Sequence, residues 1–154
     1  EHKVTQRFSL WFSVFFVVNS YICIITATKY MKELNAISYD IIGCAIKVHS
    51  ELGPGLLEST YEVCLMHELV ELGYVVERQK ELPVVYKQHK LDAGYRIDLL
   101  VQKQIIVELK SIDAIAPIHE AQLLTYLKLA HKKLGLLINF NVLQLKDGIV
   151  RRVL

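Results

Sequence analysis

Apolar and polar residues follow one another along this chain in two rhythms. Between residues 38 and 52 apolar side chains recur at Ile41, Ile42, Ala45, Ile46 and Leu52, the spacing of an amphipathic helix, with Ser38 as its expected cap. Gly53-Pro54-Gly55 ends that helix, because proline cannot continue it and glycine accepts the turn. A second helix is expected over residues 56–72, with Leu57, Tyr61, Leu65, Leu69 and Leu72 on one stripe and Gly73 as terminator. The rhythm then becomes extended. Residues 74–81 and 82–87 read as strand, broken or bulged near Pro83, which points to an edge position, and residues 88–94 read as a turn. Two runs rich in Ile, Leu and Val, residues 95–101 and 105–111, flank Gln102-Lys103-Gln104 and predict a hairpin. Pro117 is a natural first residue for a helix over 118–131, residues 134–140 form a strongly apolar central strand, and 148–154 a closing one. The order helix, helix, strands, helix, strand, strand predicts one α/β domain, a mixed sheet with helices packed on its faces.

Three charges interrupt the apolar hairpin: Asp98, Glu108 and Lys110. A three-residue loop pairs Val101 with Ile105, and antiparallel counting then sets Asp98 opposite Glu108 on one face of the sheet. Period-two alternation puts Lys110 on the same face. Buried charges need partners or a metal. Two carboxylates, with the remaining positions left to water and phosphate, suit Mg²⁺ better than a transition metal. A nearby lysine can orient or deprotonate a water, or stabilise charge building on a phosphate. The competing account makes Glu108 and Lys110 the solvated face of an edge strand, with Asp98 paired to Arg96 or Lys110.

Composition changes the picture at one end. Hydrophobic residues make up 53% of the 154, and the excess is local: residues 8–28 form an uncharged run of 21, bracketed by Arg7 and Lys29. That length can span a bilayer, and a basic leader before it resembles a secretory signal. Positive charge on both sides leaves orientation undetermined. The chain opens with Glu1, and Met31 is followed at once by ordinary amphipathic sequence, so residues 1–30 are expected to be upstream sequence and 31–154 the working domain. Removing Glu1, Lys3, Arg7 and Lys29 from the totals leaves fifteen residues of each sign, a formally neutral domain. Such a domain lacks the broad basic footprint of a tight nucleic-acid binder, so any nucleic-acid contact is expected to be local or metal-assisted. Cys23, Cys44 and Cys64 form no Cys-x-x-Cys pair, which argues against a disulfide framework or zinc site and fits a reducing compartment, the cytoplasm.

The remaining polar residues have ordinary explanations. Glu58 in a first helical turn complements the helix dipole. Glu62, Glu68 and Glu71 read as a solvated acidic face. His49, His67, His89, His119 and His131 have no mutual spacing that suggests a shared metal, and Gln122 and Tyr126 share a helix face.

Taken together, the residues resemble the PD-(D/E)xK nuclease superfamily, whose pattern is a helix-borne Glu, an Asp on one strand, Glu-x-Lys on the next, then a helix with Gln-x-x-x-Tyr. Here these are Glu58, Asp98, Glu108-Leu109-Lys110, and Gln122 with Tyr126. The closer resemblance is to the family with the signature Gly-x-x-Glu-x-x-Tyr, present as Gly55 to Tyr61, and the stretches around Asp98, around Glu108 and over Gly135-Leu-Leu-Ile-Asn-Phe140 are also similar to it. The resemblance covers residues 38–154 and departs from the pattern where Ile97, not proline, precedes Asp98. It implies a restriction-endonuclease-like mixed β-sheet core flanked by helices. It further implies that Glu58, Asp98 and Glu108 bind Mg²⁺, or Mn²⁺ in its place, with the Leu109 carbonyl as a further ligand. Lys110 would act on the attacking water or the phosphate, and Gln122 and Tyr126 would position the strand. The expected activity is hydrolysis of nucleic-acid phosphodiester bonds, DNA before RNA. The alternative is a non-catalytic module of the same fold that binds nucleic acid or a protein partner. A membrane enters only if residues 8–28 are a genuine anchor.

Overall fold

The computed structural model describes residues 2–91 and 94–154, with side chains from residue 24 onward except at position 90. Two compact units divide the chain, residues 1–36 and 37–154. The first is helical throughout its described residues and belongs to helix α1 (His2–Leu52). Most of the apolar run 8–28 lies outside the residues whose side chains are described; among the described residues no helix is long and apolar enough to cross a membrane.

Ser38 does not cap a helix. It lies inside α1 and is buried, because helical backbone bonding is already under way upstream and leaves no free N–H for a cap to satisfy. The expected end of α1 is where glycine puts it: Gly53 adopts φ +67° and its N–H bonds the His49 carbonyl at 2.9 Å. Helix α2 (Glu58–Glu71) follows, and Gly73 at φ +85° stops it while the Tyr74 N–H bonds the Leu69 carbonyl at 3.0 Å.

Strands β1 (Val76–Glu81), β4 (Arg96–Val101), β5 (Ile105–Lys110), β6 (Leu134–Asn139) and β7 (Ile149–Val153) form a mixed sheet in the order β1-β4-β5-β6-β7. Helix α3 (Pro117–Leu129) connects β5 to β6, and those two strands are parallel; the other neighbours are antiparallel. Residues 82–91 depart from expectation. The Leu82 N–H still bonds the Tyr95 carbonyl, but Pro83 has no N–H to give, so the ladder stops. The chain instead forms a separate ribbon of β2 (Val84–Tyr86) and β3 (His89–Leu91), with Lys87 in the left-handed region at φ +56°.

Leu100, Ile106 and Leu137 pack with Leu123, Tyr126 and Leu127 of α3 in one core cluster. The residues of opposite parity, Leu99, Ile105, Val107, Leu109, Leu136 and Ile138, are also buried, so β5 and β6 are covered on both faces. Gly135 permits the close approach of α3, since a Cβ there would lie 2.7 Å from Leu123 Cδ1.

Candidate active site

The hairpin register matches the count from its loop. Val101 pairs with Ile105, Leu100 with Ile106 and Leu99 with Val107. One step further the side chains take over: Asp98 Oδ2 accepts a hydrogen bond from the Leu109 N–H at 2.8 Å. Backbone pairing of β5 then continues on its other side, with Glu108 beside Leu137 and Lys110 beside Asn139. Glu108 therefore sits on the central strand and is only 3% exposed, which overturns the account of a solvated edge. Asp98 forms no ion pair with Arg96, whose guanidinium faces Glu81 at 3.8 Å, and none with Lys110.

Burial and charge act together on this pair. Burial pushes the Glu108 carboxyl up to about 8, the Asp98 charge adds to the rise, and Lys110 and the Asp98 backbone N–H oppose it. Asp98 is raised too, first by burial, with Glu62 and Glu58 contributing, against the Leu109 N–H and Lys110. Glu108 Oε1 is buried without a hydrogen-bond partner. An acceptor in that position costs free energy unless something positive meets it. The donor set, two carboxylates on adjacent strands, fits a hard divalent cation. Among the described residues no three His, Cys, Asp or Glu side chains stand close enough to form a metal set on their own. Protein carboxylates would thus leave coordination positions for water, phosphate or backbone oxygen.

Glu58 reaches the end of β5 through a chain of contacts. Its Oε1 accepts from the Ser111 N–H at 3.0 Å, and Ser111 Oγ donates to the Leu56 carbonyl at 2.6 Å. Tyr61 holds the loop before it: buried and stacked on Phe140 at 4.3 Å, its hydroxyl donates to the Gly53 carbonyl at 2.7 Å and accepts from the Leu56 N–H at 3.1 Å. Gly55, at φ +96°, supplies the backbone turn between them. The Gly, Glu and Tyr of the signature are thereby one local device that presents Glu58.

On α3 the Gln122 amide donates to the Tyr126 hydroxyl at 3.0 Å. Tyr126 packs with Leu100 and Ile106, which share a sheet face with Asp98 and Glu108; burial raises its phenol, the Gln122 hydrogen bond opposes the rise, and the charges of Glu108 and Asp98 add to it. Tyr95 meets the Tyr126 ring edge-on at 6.2 Å.

Three residues around the site were not anticipated. Glu62 is not solvated but buried, because β1 packs beside α2 and brings Arg78 Nε to its Oε1 at 2.6 Å and Gln79 Nε2 to its Oε2 at 2.9 Å. Gln79 Nε2 also lies 3.4 Å from Asp98 Oδ1. Asn139 is buried at the end of β6, accepting from the Ile112 and Asn141 N–H groups and donating to the Ile112 carbonyl, which fixes the chain just beyond Ser111. An Asn closing a wholly apolar strand was a signal for it; nothing in the local pattern singled out Gln79. Of the histidines, His49 is buried with Nε2 2.8 Å from the Val142 carbonyl oxygen, a satisfied side chain.

A mixed sheet flanked by helices, with an Asp and a Glu-x-Lys on adjacent strands at its centre, defines a restriction-endonuclease-like α/β protein. The family model of the PD-(D/E)XK nuclease superfamily matches residues 35–153, and the chain belongs to that superfamily. No curated protein and no solved structure matches the chain significantly.

Proposed function

We propose that this protein is a metal-dependent nuclease of the Gly-x-x-Glu-x-x-Tyr kind that hydrolyses phosphodiester bonds of nucleic acid, with DNA as the first substrate to test. The observation that carries the reading is Glu108 Oε1, buried and without a hydrogen-bond partner across from Asp98. Asp98 and Glu108 would hold Mg²⁺ or Mn²⁺, with the Leu109 carbonyl as a further ligand, while Glu58, tied to the Ser111 N–H and not grouped with the other two carboxylates, would act on the cation through a coordinated water. The cation supplies positive charge against the scissile phosphate. Asp98 is fixed for this by the Leu109 N–H, and Glu108 by burial in the central strand. Lys110, on the same face as Glu108 by strand alternation, orients the attacking water or meets the charge that builds on the phosphate. Gln122 and Tyr126 contact the substrate strand from α3, and the half-exposed Tyr95 extends that aromatic surface. Two of the arginines around the site are engaged, Arg78 with Glu62 and Arg96 with Glu81, which fits a local, metal-assisted grip on the backbone.

Calorimetric titration of Mg²⁺ and Mn²⁺ into the protein, alone and with an oligonucleotide, tests the reading beside Glu108→Ala. Binding in the wild type and its loss in the variant is the expected result, followed by cleavage that disappears in Asp98→Ala, Glu108→Ala and Lys110→Ala. Equal binding in wild type and variant sinks it. Retained affinity for nucleic acid in all three variants, without cleavage by the wild type, would instead identify a non-catalytic binding module.

A further inference from the structure

Gln79 lies opposite Asp98 in the β1–β4 pairing, between the Arg78–Leu99 and Lys80–Ile97 pairs. Its backbone is left-handed, φ +51°, a region that L-residues with long side chains rarely adopt. Regular strand alternation would turn Arg78 and Gln79 to opposite faces of the sheet. The left-handed backbone breaks that alternation, and both side chains reach the same carboxylate: Arg78 Nε bonds Glu62 Oε1 and Gln79 Nε2 bonds Glu62 Oε2. Glu62 is 5% exposed, so this anchor is itself fixed. The same Nε2 faces Asp98 Oδ1 at 3.4 Å while Leu109 N–H holds Oδ2 at 2.8 Å. An amide nitrogen has two protons, enough to serve both carboxylate oxygens within its reach, and a flipped amide would turn its oxygen toward them in repulsion. Backbone strain held in place by a buried polar network beside a chemical site is a recurring mark of a positioning device.

We propose that Gln79 is a positioning residue: anchored on the buried Glu62–Arg78 pair, its amide sets the orientation of Asp98 toward the divalent cation. This rests on the reading of Asp98 as a cation ligand. It assigns Gln79, Glu62 and Arg78 a single task, and it gives the left-handed turn in β1 a function. Outer partners that orient a ligand typically govern metal affinity by ten- to hundredfold.

Two variants separate orientation from mere stability. Gln79→Met keeps length without the amide; Gln79→Gly removes the amide and also relieves the left-handed backbone, so its melting temperature should stand above that of Gln79→Met, both variants having lost the same bond to Glu62. Both are expected to weaken Mg²⁺ and Mn²⁺ binding at least tenfold by calorimetry. A structural role alone would move affinity and melting temperature in the same direction. Either variant folding normally and binding the cations as the wild type does would overturn the proposal. In the metal-free protein, the Gln79 side-chain amide protons should exchange slowly and shift in Asp98→Ala when followed by NMR. If the wild type binds no cation, the nuclease reading fails, and these signals alone decide the geometry: unchanged in Asp98→Ala, they overturn the positioning as well.

Discussion

Replacing Glu108 by Gln removes one buried charge and should make the metal-free protein more stable at alkaline pH. The folded-state value of about 8 stands against an ordinary 4.5. Between those values the unfolded chain releases the proton while the native protein keeps it, so the unfolded state binds fewer protons and stability falls as pH rises. The loss begins above about pH 4.5, runs through the Glu108 value, and levels off above about 8. The gap corresponds to about 5 kcal/mol at 1.36 kcal/mol per pH unit, an upper figure because the structure can relax around a charged Glu108. Urea unfolding at pH 5 and pH 9 with chelator present provides the assay. The wild type should lose several kcal/mol more than Glu108→Gln between the two pH values. Adding Mg²⁺ at pH 9 should then restore stability to the wild type and leave the variant unchanged, because a ligand that binds only the native state stabilises it. Parallel pH dependence in the two proteins would refute the argument, as it would show that Glu108 ionises in the fold without strain.

Other expectations concern how the site is held. Gly148→Ala would place a Cβ 2.3 Å from the Asn139 carbonyl oxygen, a backbone atom that cannot retreat, and should cost about 3 kcal/mol or more in chemical unfolding. Tyr61→Phe loses the hydroxyl that joins Gly53 to Leu56; we expect about 1–2 kcal/mol of destabilisation and, since that loop presents Glu58, weaker Mg²⁺ binding by calorimetry. Asn139→Ala strips partners from Ile112 and Asn141 and should destabilise by about 2–4 kcal/mol, with faster amide exchange at both residues.

Much of this protein is written in short-range pattern. Gly53 and Gly73 end helices because they accept a left-handed backbone, Pro117 starts one because its missing N–H is not needed there, and a three-residue loop with period-two alternation sets Asp98 across from Glu108. Each of these follows from the chemistry of a few neighbouring residues. The tertiary structure decided the rest. Parallel pairing of β6 makes β5 central, and only that neighbour turns Glu108 from a solvated carboxylate into a buried one. Packing of α2 beside β1 buries Glu62, which its helical spacing left on a polar face, and gives it Arg78 and Gln79 as partners. The upstream extension of α1 puts Ser38 in a helix interior. Burial and the pairing of distant polar groups depend on which elements become neighbours, and periodicity within one element carries no record of that.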